Sequence, residues 1–88
     1  MNCRRGDLAV IVRAAAKGDE AYRKYTKRLI GKVVTVTKWE MQGTEVCWTI
    51  RSPFWMRIDG EKTRVTGIHD SLLQPIRGSA AREAELQG

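Results

Sequence analysis

The residues from Asp7 to Arg13 read Asp-Leu-Ala-Val-Ile-Val-Arg, a β-branched run preceded by Gly6, and they predict a first strand. Alternation sends Leu8, Val10 and Val12 to one face and Ala9 and Ile11 to the other, so both faces are apolar. A strand in a small open sheet usually keeps one wet face. Another part of this chain, or a partner, is therefore expected to cover the second. After Ala14-Ala15-Ala16-Lys17-Gly18 the period changes: Tyr22, Tyr25 and Leu29 fall at i, i+3 and i+7, one stripe of a helix. Asp19 is placed to cap it, Glu20 lies in its first turn and Gly31 follows its end, which predicts a helix from near Glu20 to Ile30.

Period 2 then returns. Lys32 to Trp39 predicts a strand with Val34 and Val36 on one face and Val33, Thr35 and Thr37 on the other. Beyond a turn at Met41-Gln42-Gly43-Thr44, Glu45 to Arg51 alternates with Val46, Trp48 and Ile50 inward and Glu45, Cys47, Thr49 and Arg51 outward. Ser52-Pro53 reads as an interruption, Phe54 to Ile58 as a separate strand, and Asp59-Gly60 as a hairpin turn. Lys62 to Thr66 is a short, weak return strand. Asp70 opens a single helical turn through Leu72 and Leu73, and Gln74-Pro75-Ile76 closes the set as an edge strand. About five short strands at close spacing, with one turn of helix before the last, predict a mainly β fold: a small SH3-like antiparallel barrel with a helix in its first long loop. Residues 1–77 form the single domain, with the helix insertion at about 19–31, and residues 78–88 a flexible or frayed-helical tail.

Composition narrows the class. The 88 residues are 42% hydrophobic and 30% charged, which fits one small globular core and excludes a disordered chain. No apolar run approaches the roughly 20 residues of a bilayer span. Met1 to Asp7 lacks the pattern of a secretory leader, so a cytoplasmic protein without a membrane partner is expected. In that compartment Cys3 and Cys47 read as free thiols, with a bridge between them as the alternative.

Charge supplies the main functional clue. The formal net charge is +6, of which residues 1–30 carry +5, residues 31–77 carry +2 and the tail −1. Arg23, Lys24, Lys27, Arg28 and Lys32 fall in a stretch from Tyr22 to Lys32 without an acidic residue, and Arg4, Arg5 and Lys38 add to it. Such a concentration is the footprint of a polyanion partner, DNA or RNA, held by phosphate contacts. The plainer reading is a solubilising outer face of the helix. Of the three tryptophans Trp48 belongs to the core, whereas Trp39 beside Lys38 and Trp55 near Arg57 are candidate stacking contacts. The alternative is a protein-interaction or assembly module, docking through Asp7–Arg13 or through the Tyr22/Tyr25 face, with a homodimer as its simplest form.

No enzyme is predicted. His69 is the sole histidine, and His69-Asp70-Ser71 does not make a triad, because triad members converge through the fold rather than by adjacency. Asp70 reads as a cap of its helical turn. One His with two distant Cys is not a zinc site, the glycines at Gly6, Gly18 and Gly60 belong to turns rather than a phosphate loop, and no cofactor is implied.

Gly6-Asp7-Leu8-Ala9-Val10-Ile11-Val12 and Ile30-Gly31-Lys32-Val33-Val34-Thr35-Val36-Thr37 resemble the paired strands of a KOW-type SH3-like barrel, a motif of ribosomal proteins and transcription elongation factors that contacts RNA or protein. That motif joins its strands by a short glycine-rich loop, whereas residues 14–30 with a predicted helix intervene here, so RNA contact through the loop is not carried over. Residues 3–77 are also similar to small prophage- and phage-encoded proteins of proteobacteria. The likeness rests on Cys3 to Val10, Gly31 to Val34, Trp48 and the closing Asp70-Ser71-Leu72-Leu73-Gln74-Pro75-Ile76. It implies origin and fold rather than an activity, and for the interaction reading it implies a phage or host protein as partner.

Overall fold

The computed structural model describes residues 1–76; the expected tail at 78–88 lies outside them. The elements run β1 (Leu8–Ile11), α1 (Glu20–Arg28), β2 (Val33–Gln42), β3 (Glu45–Ile58), β4 (Glu61–His69), a single 3₁₀ turn (Asp70–Leu72) and β5 (Leu73–Pro75). All strand pairs are antiparallel and form one sheet in the order β4-β3-β2-β1-β5. The mainly β, barrel-like arrangement with one helix between the first two strands is thus the one the periodicity predicts.

The sheet curls because β2 serves two partners. Its first half pairs with β1 (Ala9 opposite Val34), and its second half, beyond an irregularity between Val36 and Lys38, pairs with β3 (Trp39 opposite Trp48). Inside the curl lie Ala9, Ile11, Val34, Val36, Trp48, Ile50, Ile58, Val65, Ile68 and Leu73, joined by Cys3 and by Tyr25 and Leu29 of the helix. Val34 and Val36 take the inward face of β2 and Val46, Trp48 and Ile50 that of β3, as alternation requires.

One strand boundary differs from expectation. Ser52-Pro53 does not break the chain: Glu45 to Ile58 is one strand, and the pair falls in the stretch between Thr49 and Phe54 where the register to β4 shifts. A residue without an N–H is tolerated in such an irregularity, and the bend lets the strand turn with the barrel. Its partner β4, expected as a weak stub, runs the full length from Glu61 to His69.

Helix α1 packs against the β3–β4 hairpin, nearest to β3, and its two tyrosines reach the free edge of β4. Asp19 caps it, its carboxylate accepting from the Tyr22 amide at 2.7 Å. The Tyr25 hydroxyl donates to the Gly67 carbonyl (3.3 Å) and the Tyr22 hydroxyl accepts from the His69 amide (2.9 Å), so the tyrosines occupy outward-facing groups of β4 that would otherwise invite another strand. Burial pushes the Tyr22 hydroxyl up to about 12 and that of Tyr25 higher still, so both stay protonated. The Tyr22/Tyr25 face proposed for docking is therefore turned into the fold. At the far end the Gly31 amide donates to the Ile11 carbonyl (2.7 Å), tying the helix exit to β1, and Gly31 adopts the left-handed φ of +95° that this reversal needs.

Asp70 is not the cap of its turn. The residue before the turn, His69, makes no side-chain cap bond, and the Asp70 carboxylate is committed elsewhere. It accepts from the Asn2 and Cys3 amides and from the Trp48 indole N–H, the last two at 2.8 Å. The side chain thereby fastens the N-terminus to the barrel. Burial works against the charged form, but these three donors outweigh it and hold the carboxyl below its ordinary range.

Candidate nucleic-acid interface

The Asp59-Gly60 turn fixes everything around it. Asp59 at φ +50° and Gly60 at φ +83° make the two-residue reversal whose twist suits a hairpin. From it the register counts outward: Ile58 opposite Glu61, Arg57 opposite Lys62, Met56 opposite Thr63, Trp55 opposite Arg64 and Phe54 opposite Val65. Directly opposed residues share a face and neighbours alternate. Phe54, Met56, Ile58 and Val65 accordingly pack inward, and Trp55, Arg57, Lys62 and Arg64 project from the outer face, all exposed. The Arg64 guanidinium stands 5.5 Å from the centre of the Trp55 ring, a cation–π contact that orients an indole which is 58% exposed. Two further cations share this face with the ring: Lys62, and Arg57, whose guanidinium donates to the Gly60 carbonyl of the turn (2.9 Å).

The helix borders this face. Arg28 donates to the Arg57 carbonyl (2.6 Å), and Lys24 pairs with Asp59 of the turn and with Glu20 (3.0 Å). These partners raise the Lys24 pKa, the Asp59 hydrogen bond most. Arg23 and Lys27 are exposed on the helix. The basic helix residues therefore divide: Lys24 is engaged by carboxylates, Arg28 leans on the hairpin, and Arg23 with Lys27 faces solvent.

The other expected contacts are scattered. Lys32 stands 4.9 Å over the Phe54 ring, beside a groove of about 420 Å³ that Arg51, Ser52 and Pro53 also line. Arg4 and Arg5 sit in the turn before β1, whose Gly6 amide donates to the Val36 carbonyl, and Lys38 is close by on β2. That is the opposite end of β1 from the helix exit at Ile11. Trp39 is 45% exposed, but it faces the side of the sheet shared with Trp48, Met41 and Val46 rather than a basic one.

The remaining chemistry-bearing residues serve packing. Cys3 and Cys47 are both buried thiols not joined to each other, and burial, with Glu40 nearby, pushes the Cys47 thiol up. Cys47 was expected to face outward, and it does, but Gly67 and the helix tyrosines cover it. His69 stacks on Tyr22 with ring centres 4.9 Å apart and its Nε2 meets Gln42 Oε1 at 3.1 Å. Among the described residues no group of three or more His, Cys, Asp or Glu side chains could hold a metal ion, and no helix is long and apolar enough to cross a membrane.

A different surface lies over β1. Leu8 (51% exposed) and Val33 (47%) project from the outer face of β1 and β2 with half-buried Val10 between them, and Ile76 joins them through its amide bond to the Leu8 carbonyl. This is the second apolar face of the first strand, and no other part of the described chain covers it.

Clustering of charge along the chain does not reveal Lys62 and Arg64, which are separated in sequence from the basic run of the helix. The Asp59-Gly60 signal was enough to find them, since counting outward from it pairs Trp55 with Arg64 and Arg57 with Lys62. No protein-family model, no curated protein and no solved structure matches this chain.

Proposed function

We propose that this protein is a cytoplasmic, non-enzymatic nucleic-acid-binding accessory protein of the prophage-encoded kind its sequence resembles, with the outer face of the β3–β4 hairpin as the principal contact. The observation that carries this reading is the outer hairpin face that Arg57, Lys62 and Arg64 share with exposed Trp55, Arg64 lying against its ring. The two-stranded ribbon fixes the spacing of their backbone attachments, so phosphate contact orders the side chains alone and not the chain that carries them. Arg28 extends the charge toward the helix, and Arg23 and Lys27 form an outlying second contact. This moves the centre of the interface from the helix, where clustering along the chain put it, to the hairpin.

The test is fluorescence anisotropy with short labelled DNA and RNA at about 50 and 200 mM salt. Three phosphate contacts to a single strand predict a loss of affinity of about 20-fold over that range. Replacing Arg57, Lys62 and Arg64 with Gln removes most binding and flattens the salt response, whereas Arg23→Gln with Lys27→Gln has the smaller effect. Equal loss from the two sets returns the interface to the helix, and no binding at the lower salt refutes the reading.

The apolar face of Leu8, Val10, Val33 and Ile76 favours a second reading, a protein-interaction module in which that face meets a partner or a second copy. Sedimentation of the wild-type chain and of Leu8→Lys decides it: dimerisation abolished by the substitution supports that reading.

A further inference from the structure

Resting on the nucleic-acid reading above, we infer that the ligand is single-stranded and that Trp55 is its stacking platform, an unpaired base lying on the indole while Arg57, Lys62 and Arg64 hold the flanking phosphates. The indole is 58% exposed at the centre of a strand pair, where an aromatic ring of its size is ordinarily covered. Its orientation is set from beneath by the backbone of β3 and from the side by the Arg64 guanidinium at 5.5 Å. An oriented ring beside fixed cations offers a base its π-face and the backbone its charge together, the combination that recognises single strands with little sequence preference.

A duplex fits this face less well. Its bases are already stacked on one another, so the indole gains nothing unless a base is extruded, and a projecting ring keeps the phosphates of a rigid double helix away from the cations beside it. The Trp39 side lacks the combination, because its neighbours across and along the strand are Trp48, Met41 and Val46. Any stacking should therefore report on Trp55 alone.

The experiment compares a labelled deoxythymidine 12-mer with a 12-base-pair duplex at about 50 mM salt, for the wild-type chain, Trp55→Ala, Trp55→Phe and Trp39→Phe. The expected result is at least ten-fold tighter binding of the single strand, a loss of about ten-fold or more in Trp55→Ala, and near-retention in Trp55→Phe, as stacking energies per base predict. Quenching of tryptophan fluorescence by the 12-mer persists in Trp39→Phe and vanishes in Trp55→Phe although that variant still binds. Equal affinity for duplex and single strand, with Trp55→Ala unchanged, overturns the stacking inference and leaves phosphate binding standing. Absence of binding to either probe overturns both.

Discussion

Replacing Asp70 should damage this protein more than any other single change of a charged residue. Its carboxylate is almost fully buried and accepts from the Asn2 and Cys3 amides and the Trp48 indole. A hydrogen bond to a charged group contributes about 1.5–3 kcal/mol, and bonds sharing one acceptor group do not add in full. Asp70→Asn keeps one acceptor oxygen but turns an N–H₂ toward a donor, so a loss of about 2–3 kcal/mol is expected. Asp70→Ala leaves the Trp48 N–H and the Cys3 amide buried without acceptors, at about 1–3 kcal/mol each, for a total of about 3–5 kcal/mol. A domain of this size is held by only about 5–10 kcal/mol, so the Ala variant approaches the folding threshold. For the Asn variant the melting temperature should fall by about 10–20 °C.

The pH dependence is a second readout of the same contact. The Asp70 carboxyl titrates lower in the folded protein than its unfolded value of about 3.9. The unfolded chain therefore binds the proton first, and the stabilisation is complete above the unfolded value and lost as pH falls through the folded one. Denaturant melts followed by far-UV circular dichroism from pH 7 down to 2 should show a steep acid limb in the wild-type chain and a shallower one in Asp70→Asn. A loss below about 0.5 kcal/mol, or identical acid limbs, would refute the reasoning.

Two further substitutions probe the packing beneath the helix. Gly67→Ala would place a methyl 3.0 Å from the Cys47 sulfur and 3.2 Å from the Trp48 carbonyl oxygen, so chemical denaturation should show a loss of about 1–3 kcal/mol, recovered only in part by adding Cys47→Ala. Thr26 is fully buried, its hydroxyl accepting from the Ala15 amide (2.9 Å) and donating to the Tyr22 carbonyl (2.8 Å). Thr26→Val, which strands that amide, should cost about 1–3 kcal/mol in thermal melts and clearly more than Thr26→Ser.

Local signals carried the sequence reading as far as local physics reaches. Asp19 caps the helix, Val34, Val36, Trp48 and Ile50 face the core, and the 3₁₀ turn precedes a short closing strand, because each depends on residues within one or two turns of the chain. Asp70 was misread as a cap because its partners, Cys3 and Trp48, lie 67 and 22 positions away in sequence. Pro53 was read as a terminator because its effect depends on whether its neighbours are paired, and the irregularity in β3 leaves them unpaired. The hairpin face is itself legible in the sequence, since strands at Phe54–Ile58 and Lys62–Thr66 about Asp59-Gly60 put Trp55 opposite Arg64, but the denser run of charge lies on the helix and outweighs it. The helix charges stand out as a run, but their pairing with Asp59 and Arg57 arises only once α1 packs against the β3–β4 hairpin.

An NMR titration of the ¹⁵N-labelled protein with an unlabelled deoxythymidine 12-mer tests the central proposal most directly. Shift changes are expected to concentrate at the Trp55 indole N–H and the amides of Arg57, Lys62 and Arg64, with smaller ones at Arg28 and none at Leu8 or Val33. Changes confined to Arg23 and Lys27, or to the Leu8–Val33 face, or no change at all at low salt, would contradict it.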